Sequence, residues 1–234
     1  MGTKRFDLPV AVTLRLQSRS GKVHVVAEPR EDVEVEGDRI DALEEDGGAT
    51  LRIRIGHGGS QLRVRVPAGS DVAVGTQSGS VLMEGEFGKV SVTTMSGHIE
   101  LDRADEADLR TMSGGVTVAA CAGLCRMSSI SGKVAGGHLD SAVAQSTSGS
   151  IKLERVDAGV KARTVSGSVV VSAGGEGSIA VKTVSGSVHI ELPPGTEPRV
   201  RFKTMGNVKC GFPEGGDVLV EAMSLSGSIE VVPP

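Results

Sequence analysis

Residues 164–190 read TVSGSVVVSAGGEGSIAVKTVSGSVHI, and this stretch decides the fold. The string TVSGSV occurs in it twice, starting at Thr164 and Thr183. Working outward, Ser-Gly followed one residue later by an aliphatic side chain recurs at Ser78, Ser96, Ser113, Ser131, Ser148 and Ser226. A degenerate MGNV sits at Met205 and an outlying SGKV at Ser20. From Gly79 to Gly227 is 148 residues over eight steps, about 18.5 residues per step, a period that belongs to solenoid repeats.

Flanking columns align with the Ser-Gly pair. Six and four residues before each Ser stand pairs such as Val72 and Val74, Val90 and Val92, Val160 and Ala162, and Ile179 and Val181. Three and five residues after it stand Val81 and Met83, Ile99 and Leu101, Val169 and Val171, and Val188 and Ile190. Polar residues such as Ser91, Glu100, Lys161 and His189 fill the positions between, so each segment alternates with a period of two, the pattern of half-buried strands. Each unit reads as strand, Ser-Gly corner, strand and a looser loop such as EGEFGK (84–89), ERVDAG (154–159) or ELPPGTEPR (191–199).

The expected fold is all-β: a parallel β-solenoid of about 18-residue two-strand rungs, like residues stacked over like, with an N-terminal β cap. The rival is an antiparallel meander with hairpins at the Ser-Gly turns. Residues 75–234 form the repeat region. Residues 1–74 carry strand patterns at 8–16, 22–26, 32–36, 50–55, 61–66 and 71–74 and read as a cap or diverged rungs. RIDALEED (39–46) reads as at most a helical turn in a loop, and the terminal VVPP as the proline-blocked end of the ladder.

Composition narrows the function. Twenty-five Lys and Arg against 29 Asp and Glu give a net charge of −4, which disfavours nucleic acid as a partner. Absence of Trp and Tyr removes the best platforms for stacking bases or sugars. No window approaches 18 consecutive apolar residues, so no transmembrane segment is expected. The apolar part of residues 1–16 alternates with polar residues, unlike a signal peptide, so the expected compartment is the cytoplasm, or the envelope if export follows another route.

Two residues before each Ser lies another hydroxyl: Thr76, Thr94, Thr111, Ser129, Ser146, Thr164, Thr183 and Ser224, with Thr204 in the degenerate copy. A ladder of hydroxyls bonding turn backbones accounts for this column better than an ice-binding array. Between the two hydroxyl columns stand Met95, Met112, Ile130, Val165, Val184, Met205 and Leu225. If alternation holds through the corner, these seven form an exposed apolar interaction stripe; if the chain bends there, they are core.

No catalytic, cofactor or metal residues emerge. Gly175-Glu176-Gly177-Ser178-Ile179-Ala180 fits G-x-G-x-x-A but opens no helix. His24, His98 and His189 fall at outward strand positions, and His57 and His138 near glycine-rich loops, all read as solvated. Cys121 and Cys125 lack the second pair a structural zinc needs, and Cys125 and Cys210 read as small core residues.

The string T-x-S-G-S-[VI]-x-[VIL], as in TVSGSVVV (164–171) and TVSGSVHI (183–190), together with SRSGKVHVVAEPREDVEVEG (18–37), resembles the bacterial putative-adhesin family of β-strand-repeat proteins, a domain of unknown function. That resemblance implies a non-enzymatic β-solenoid, often linked to envelope or stress functions, with no catalytic residues to carry over. The expected function is a structural or interaction protein presenting a repetitive β surface to a protein partner or to itself, as a homo-oligomer or filament. The alternative is a carbohydrate-active β-helix enzyme, against which stand the missing Trp and Tyr and the lack of a paired-carboxylate column.

Overall fold

The computed structural model describes residues 2–7, 12–37, 40–45, 50–55, 61–174, 176–213, 215–216 and 218–234. Among the described residues there are 21 strands and no helix. The chain divides into two compact units, Met1–Val118 and Ala119–Pro234. The first ten strands are β1 (Gly2–Asp7), β2 (Thr13–Ser20), β3 (Lys22–Glu28), β4 (Asp32–Gly37), β5 (Ile40–Glu45), β6 (Thr50–Ile55), β7 (Gln61–Pro67), β8 (Asp71–Ser78), β9 (Val81–Ser96) and β10 (Ile99–Ser113). There follow β11 (Val116–Ser131), β12 (Val134–Ser148), β13 (Ile151–Val156), β14 (Val160–Ser166), β15 (Val169–Ala173), β16 (Ser178–Ser185), β17 (Val188–Glu191), β18 (Pro198–Thr204), β19 (Val208–Cys210), β20 (Val218–Ser226) and β21 (Ile229–Val232).

Strands on either side of a Ser-Gly corner pair in parallel with their counterparts in the next turn. In the second unit Val160 lies beside Ile179 and Ala162 beside Val181, while across the corner Val169 lies beside Val188 and Val171 beside Ile190. In the first unit Val72 lies beside Val90, and Val81 beside Ile99. The hairpin rival is thereby excluded for these corners. Equivalent aliphatics stack into continuous columns: Ile151, Val169 and Val188 are no more than 1% exposed, as are Val160, Ile179 and Val220.

The corner glycines explain why the period tolerates no other residue there. A Cβ on Gly97 would fall on the carbonyl oxygen of Gly79, one on Gly167 on that of Gly149, and one on Gly186 on that of Gly167. Gly167 and Gly186 also hold φ of 144° and 149°. Turn backbones join the ladder at the same point: Gly149 N–H donates to Ser166 O and Gly167 N–H to Ser185 O, each at 3.0 Å.

The stacking order departs from chain order near each terminus. In the first unit β2 pairs with both β6 and β8, and β3 with both β7 and β9, so residues 13–28 slot between the 50–67 turn and the 71–83 turn. In the second unit β20 pairs with β16 on one side and β18 on the other, and β21 likewise lies between β17 and β19. The VVPP end is therefore interior to the ladder, and β18 with β19 forms the edge.

Other expectations need correction. RIDALEED holds a strand, β5, antiparallel to β6, in place of a helical turn. EGEFGK lies inside the continuous β9, because the rear corner bends without leaving the ladder. It turns on a third inward column, Phe87 and Ala104 in the first unit and Cys121, Leu139, Val156, Ala173 and Leu192 in the second, all buried. The strand pattern read over 8–16 is described only from Val12, and Gly175 and His57 lie outside the described residues.

Antiparallel strands finish the first unit, with β1 on β4 and β4 on β7. An ion network ties them together. Glu34 accepts from Arg5 (3.1 Å) and Arg65 (2.5 Å), and Arg30 bridges Glu28, Asp32 and Glu34. Burial pushes the Glu34 carboxyl up, but Arg5, Arg65 and Arg30 together hold it below the ordinary value.

Gly167→Ala is expected to cost about 1–3 kcal/mol in chemical denaturation, the range for a strained backbone or an overpacked site. Gly159→Ala, whose Cβ would meet only Ser178 O at 3.9 Å, should stay within about 0.5 kcal/mol of wild type.

Candidate interaction surface

Alternation persists to the end of each pre-corner strand. In β14 the side chains run buried, exposed, buried, exposed, buried, exposed from Val160 to Val165, and only then does the corner begin. Thr164 therefore points inward and Val165 outward. The same parity places Met95 (52% exposed) and Met112 (49%) on the surface of the first unit. In the second unit it exposes Ile130 (48%), Val165 (50%), Val184 (46%), Leu225 (56%) and Met205 (86%). All seven sequence-selected side chains are solvent-facing, so the chain does not turn them into core. Pairing places Val184 between Val165 and Leu225, and Met205 lies beyond Leu225 in the bend that follows edge strand β18.

The inward hydroxyl column fixes this parity. Thr111 Oγ1 donates to Gly97 O and Thr164 Oγ1 to Gly149 O, both at 3.2 Å, and Ser224 Oγ donates to Gly186 O at 3.0 Å. Each bond links a hydroxyl to the corner glycine of the adjoining turn, a structural use of the column. Thr204 Oγ1 donates to Gly227 O at 2.8 Å, which follows the exchanged stacking order. Thr76 and Thr94 Oγ1 are buried without a hydrogen-bond partner among the described residues.

Beside the apolar column, two residues earlier, Gln145, Arg163 and Lys182 form a polar run in the second unit, and Met223 separates Lys182 from Lys203. Between the apolar column and this run lies a shallow groove of about 560 Å³ bordered by Ile130, Gln145, Arg163, Val165, Lys182 and Val184. An equivalent groove of about 570 Å³ in the first unit is bordered by Arg19, Arg54, Gly75, Gln77, Thr93 and Met95. Both grooves set apolar surface beside hydrogen-bonding groups.

Nothing in these grooves resembles acid–base machinery. Elsewhere His24 is buried, not solvated: its Nε2 lies 2.8 Å from Glu84 Oε2 and its Nδ1 accepts from Arg63. His138 sits in β12 and meets Asp157 at 2.7 Å, and His189 lies between Glu191 and Glu230 at 3.3 Å from each. Cys121 and Cys125 are buried neighbours. The hydrogen bond from Cys121, with burial, pushes the Cys125 thiol far up. Cys210 is exposed and not core, because it stands on edge strand β19. Among the described residues no three His, Cys, Asp or Glu gather as a metal site.

A family model, Toastrack DUF4097, matches residues 59–232. The chain belongs to the Toastrack DUF4097 family. Solved structures share the family's fold at low identity. A putative adhesin from Bacteroides fragilis NCTC 9343 is 13% identical with a TM-score of 0.53, covering 98% of this chain and 95% of that one. A putative lipid binding protein from Parabacteroides distasonis ATCC 8503 is 15% identical with a TM-score of 0.56, covering 98% and 96%. A putative adhesin from Parabacteroides merdae ATCC 43184 is 11% identical with a TM-score of 0.53, covering 98% and 95%. No curated protein matches the chain. The Toastrack assignment agrees with the resemblance read from the TVSGSV strings.

The second unit carries an acid-sensitive contact. Ser172 Oγ donates to Glu191 Oε2 at 2.5 Å, and with His189 it holds the Glu191 carboxyl below 4.5, against the burial that raises it. A depressed folded value means stability that is present above the unfolded value near 4.5 and lost as pH falls through the folded one. Glu191→Gln should therefore show a shallower fall in urea midpoint than wild type as pH drops from 4.5 toward about 3.

Proposed function

We propose that the protein is a non-enzymatic interaction module, built on a two-strand rung of about 18 residues with an N-terminal β cap. Its exposed apolar column takes a protein partner or a second copy. The observation that supports this reading most directly is the exposure of Met95 and Met112 in one unit and of Ile130, Val165, Val184, Leu225 and Met205 in the other. Solvent-facing apolar side chains recur at this position in most turns, with Gln77 and Thr147 the polar exceptions, and they cost solubility while contributing nothing to the core, which marks an association surface. The hydroxyl column beneath them serves the fold, with Thr111, Thr164 and Ser224 bonded to corner carbonyls. Two structural relatives are described as putative adhesins, which adds support for docking to a protein surface.

Glutamate at both Val165 and Val184, and separately at both Met95 and Met112, tests the reading. Each double variant should keep the far-UV spectrum and melting transition of wild type, since no core contact is removed. Multi-angle light scattering should then show loss of self-association, and affinity capture loss of the partner. Unchanged association in both variants would overturn the proposal, and cooperative unfolding would return the column to the core.

A further inference from the structure

We propose that the open edge formed by β18 and β19 is a strand-addition site for an extended protein segment in which acidic and aliphatic residues alternate. This site adjoins the apolar column at Lys203 and Met205 and shares neither Val165 nor Val184 with it. Among the described residues β18 pairs on one side only, with β20, and β19 on one side only, with β21. Their free sides present unpaired backbone donors and acceptors.

Side-chain burial shows that one further layer is wanted. Val220 and Ala222 of β20 are 0% exposed, whereas Val200 and Phe202, their partners in β18, are only half-buried. Ile229 of β21 is 1% exposed, whereas its β19 partner Val208 is 45% exposed. Each of these apolar side chains continues an inward column whose next storey is missing. An incoming strand with aliphatic residues at alternate positions supplies that storey.

Charge selects the other positions. Arg199, Arg201 and Lys203 alternate along the outward face of β18. Arg201 meets Glu221 at 3.3 Å and stays largely exposed, with 71% of its side chain accessible. Arg199 and Lys203 stand beside Leu219 and Met223, with no bonded carboxylate among the described residues. Three cations at every second residue match carboxylates at every second residue of an added strand, since opposite charges across a ladder attract and like charges repel. The same rule disfavours a second copy docked edge to edge, which sets the cationic rows of two β18 strands against each other.

The probe is a fluorescein-labelled peptide, Gly-Glu-Val-Glu-Val-Glu-Gly, titrated with the full chain and read by anisotropy. Saturable binding is expected, weakened about tenfold or more when the three glutamates of the peptide are replaced by lysine. That exchange needs no change in the protein, so folding does not confound it. The variant with both Arg199→Glu and Lys203→Glu should invert the preference, and Val165→Glu with Val184→Glu should leave it unaltered, which separates this site from the apolar column. Absence of saturable binding, or binding indifferent to both charge exchanges, overturns the proposal. So does a wild-type dimer in sedimentation that Phe202→Lys abolishes, which would give the edge to a second copy.

Discussion

Close approach of backbone to backbone at the Ser-Gly corner is the constraint on which the rest depends. Where Gly186 passes over Gly167, and Gly167 over Gly149, the space a Cβ needs is already taken by a carbonyl oxygen. Strand spacing in a parallel ladder is set by hydrogen bonds, so the corner cannot widen without breaking the ladder on both sides of it. A single residue type thereby locks register. Once Gly aligns with Gly, the aliphatics two and four residues later must stack, and so must those four and six residues before its serine.

Exposure of the apolar column follows from this lock. The hydroxyl two residues before the serine faces inward, and from there Thr164 reaches the corner carbonyl of Gly149 and Ser224 that of Gly186. Side chains alternate along a strand, so the next residue, Val165 or Leu225, has only the outside to point to. The column is a by-product of parity in geometry. That most turns fill it with Met, Ile, Val or Leu is a property of this chain, because the strand backbone accepts a polar residue there equally well, as at Gln77 and Thr147.

Strand positions, the parallel coil and the hydroxyl ladder were legible because each repeats at one spacing and obeys one period. What escaped did so for physical reasons. The rear residues, Phe87 and Ala104 in the first unit and Cys121, Leu139, Val156, Ala173 and Leu192 in the second, recur along the sequence at a regular spacing, but chemically varied side chains hid it. Glycines and charges in EGEFGK and RIDALEED gave a loop reading to segments that tertiary pairing holds as strand, since a ladder partner outweighs local propensity. His24 looked solvated by alternation, and Glu84 and Arg63 from neighbouring strands cover it. The family was legible in the TVSGSV strings. The proposed partner sites depend on exposure, which alternation alone left open between two outcomes.

The exchanged order near each terminus shows that composition, not chain order, assigns a turn its place. Residues 218–231 keep the full Ser-Gly corner and aliphatic columns, and 13–28 keep SGKV with Leu14, Leu16, Val23 and Val25. Both are flanked on two sides. Residues 198–210 have lost the serine of the corner and carry Arg199, Arg201, Lys203 and Lys209, while 50–67 contain no Ser-Gly copy and carry Arg52, Arg54, Arg63 and Arg65. A turn with full apolar columns gains most where both faces are covered, and a cationic strand resists unwanted pairing best where one side is bare. Inserting the well-formed turn inward satisfies both at the cost of one longer connection, whose entropy grows only slowly with length. In the first unit antiparallel strands then cover the outer turn. In the second unit among the described residues no strand does so, and β18 is left as an edge whose inward side chains are apolar and whose outward side chains are basic.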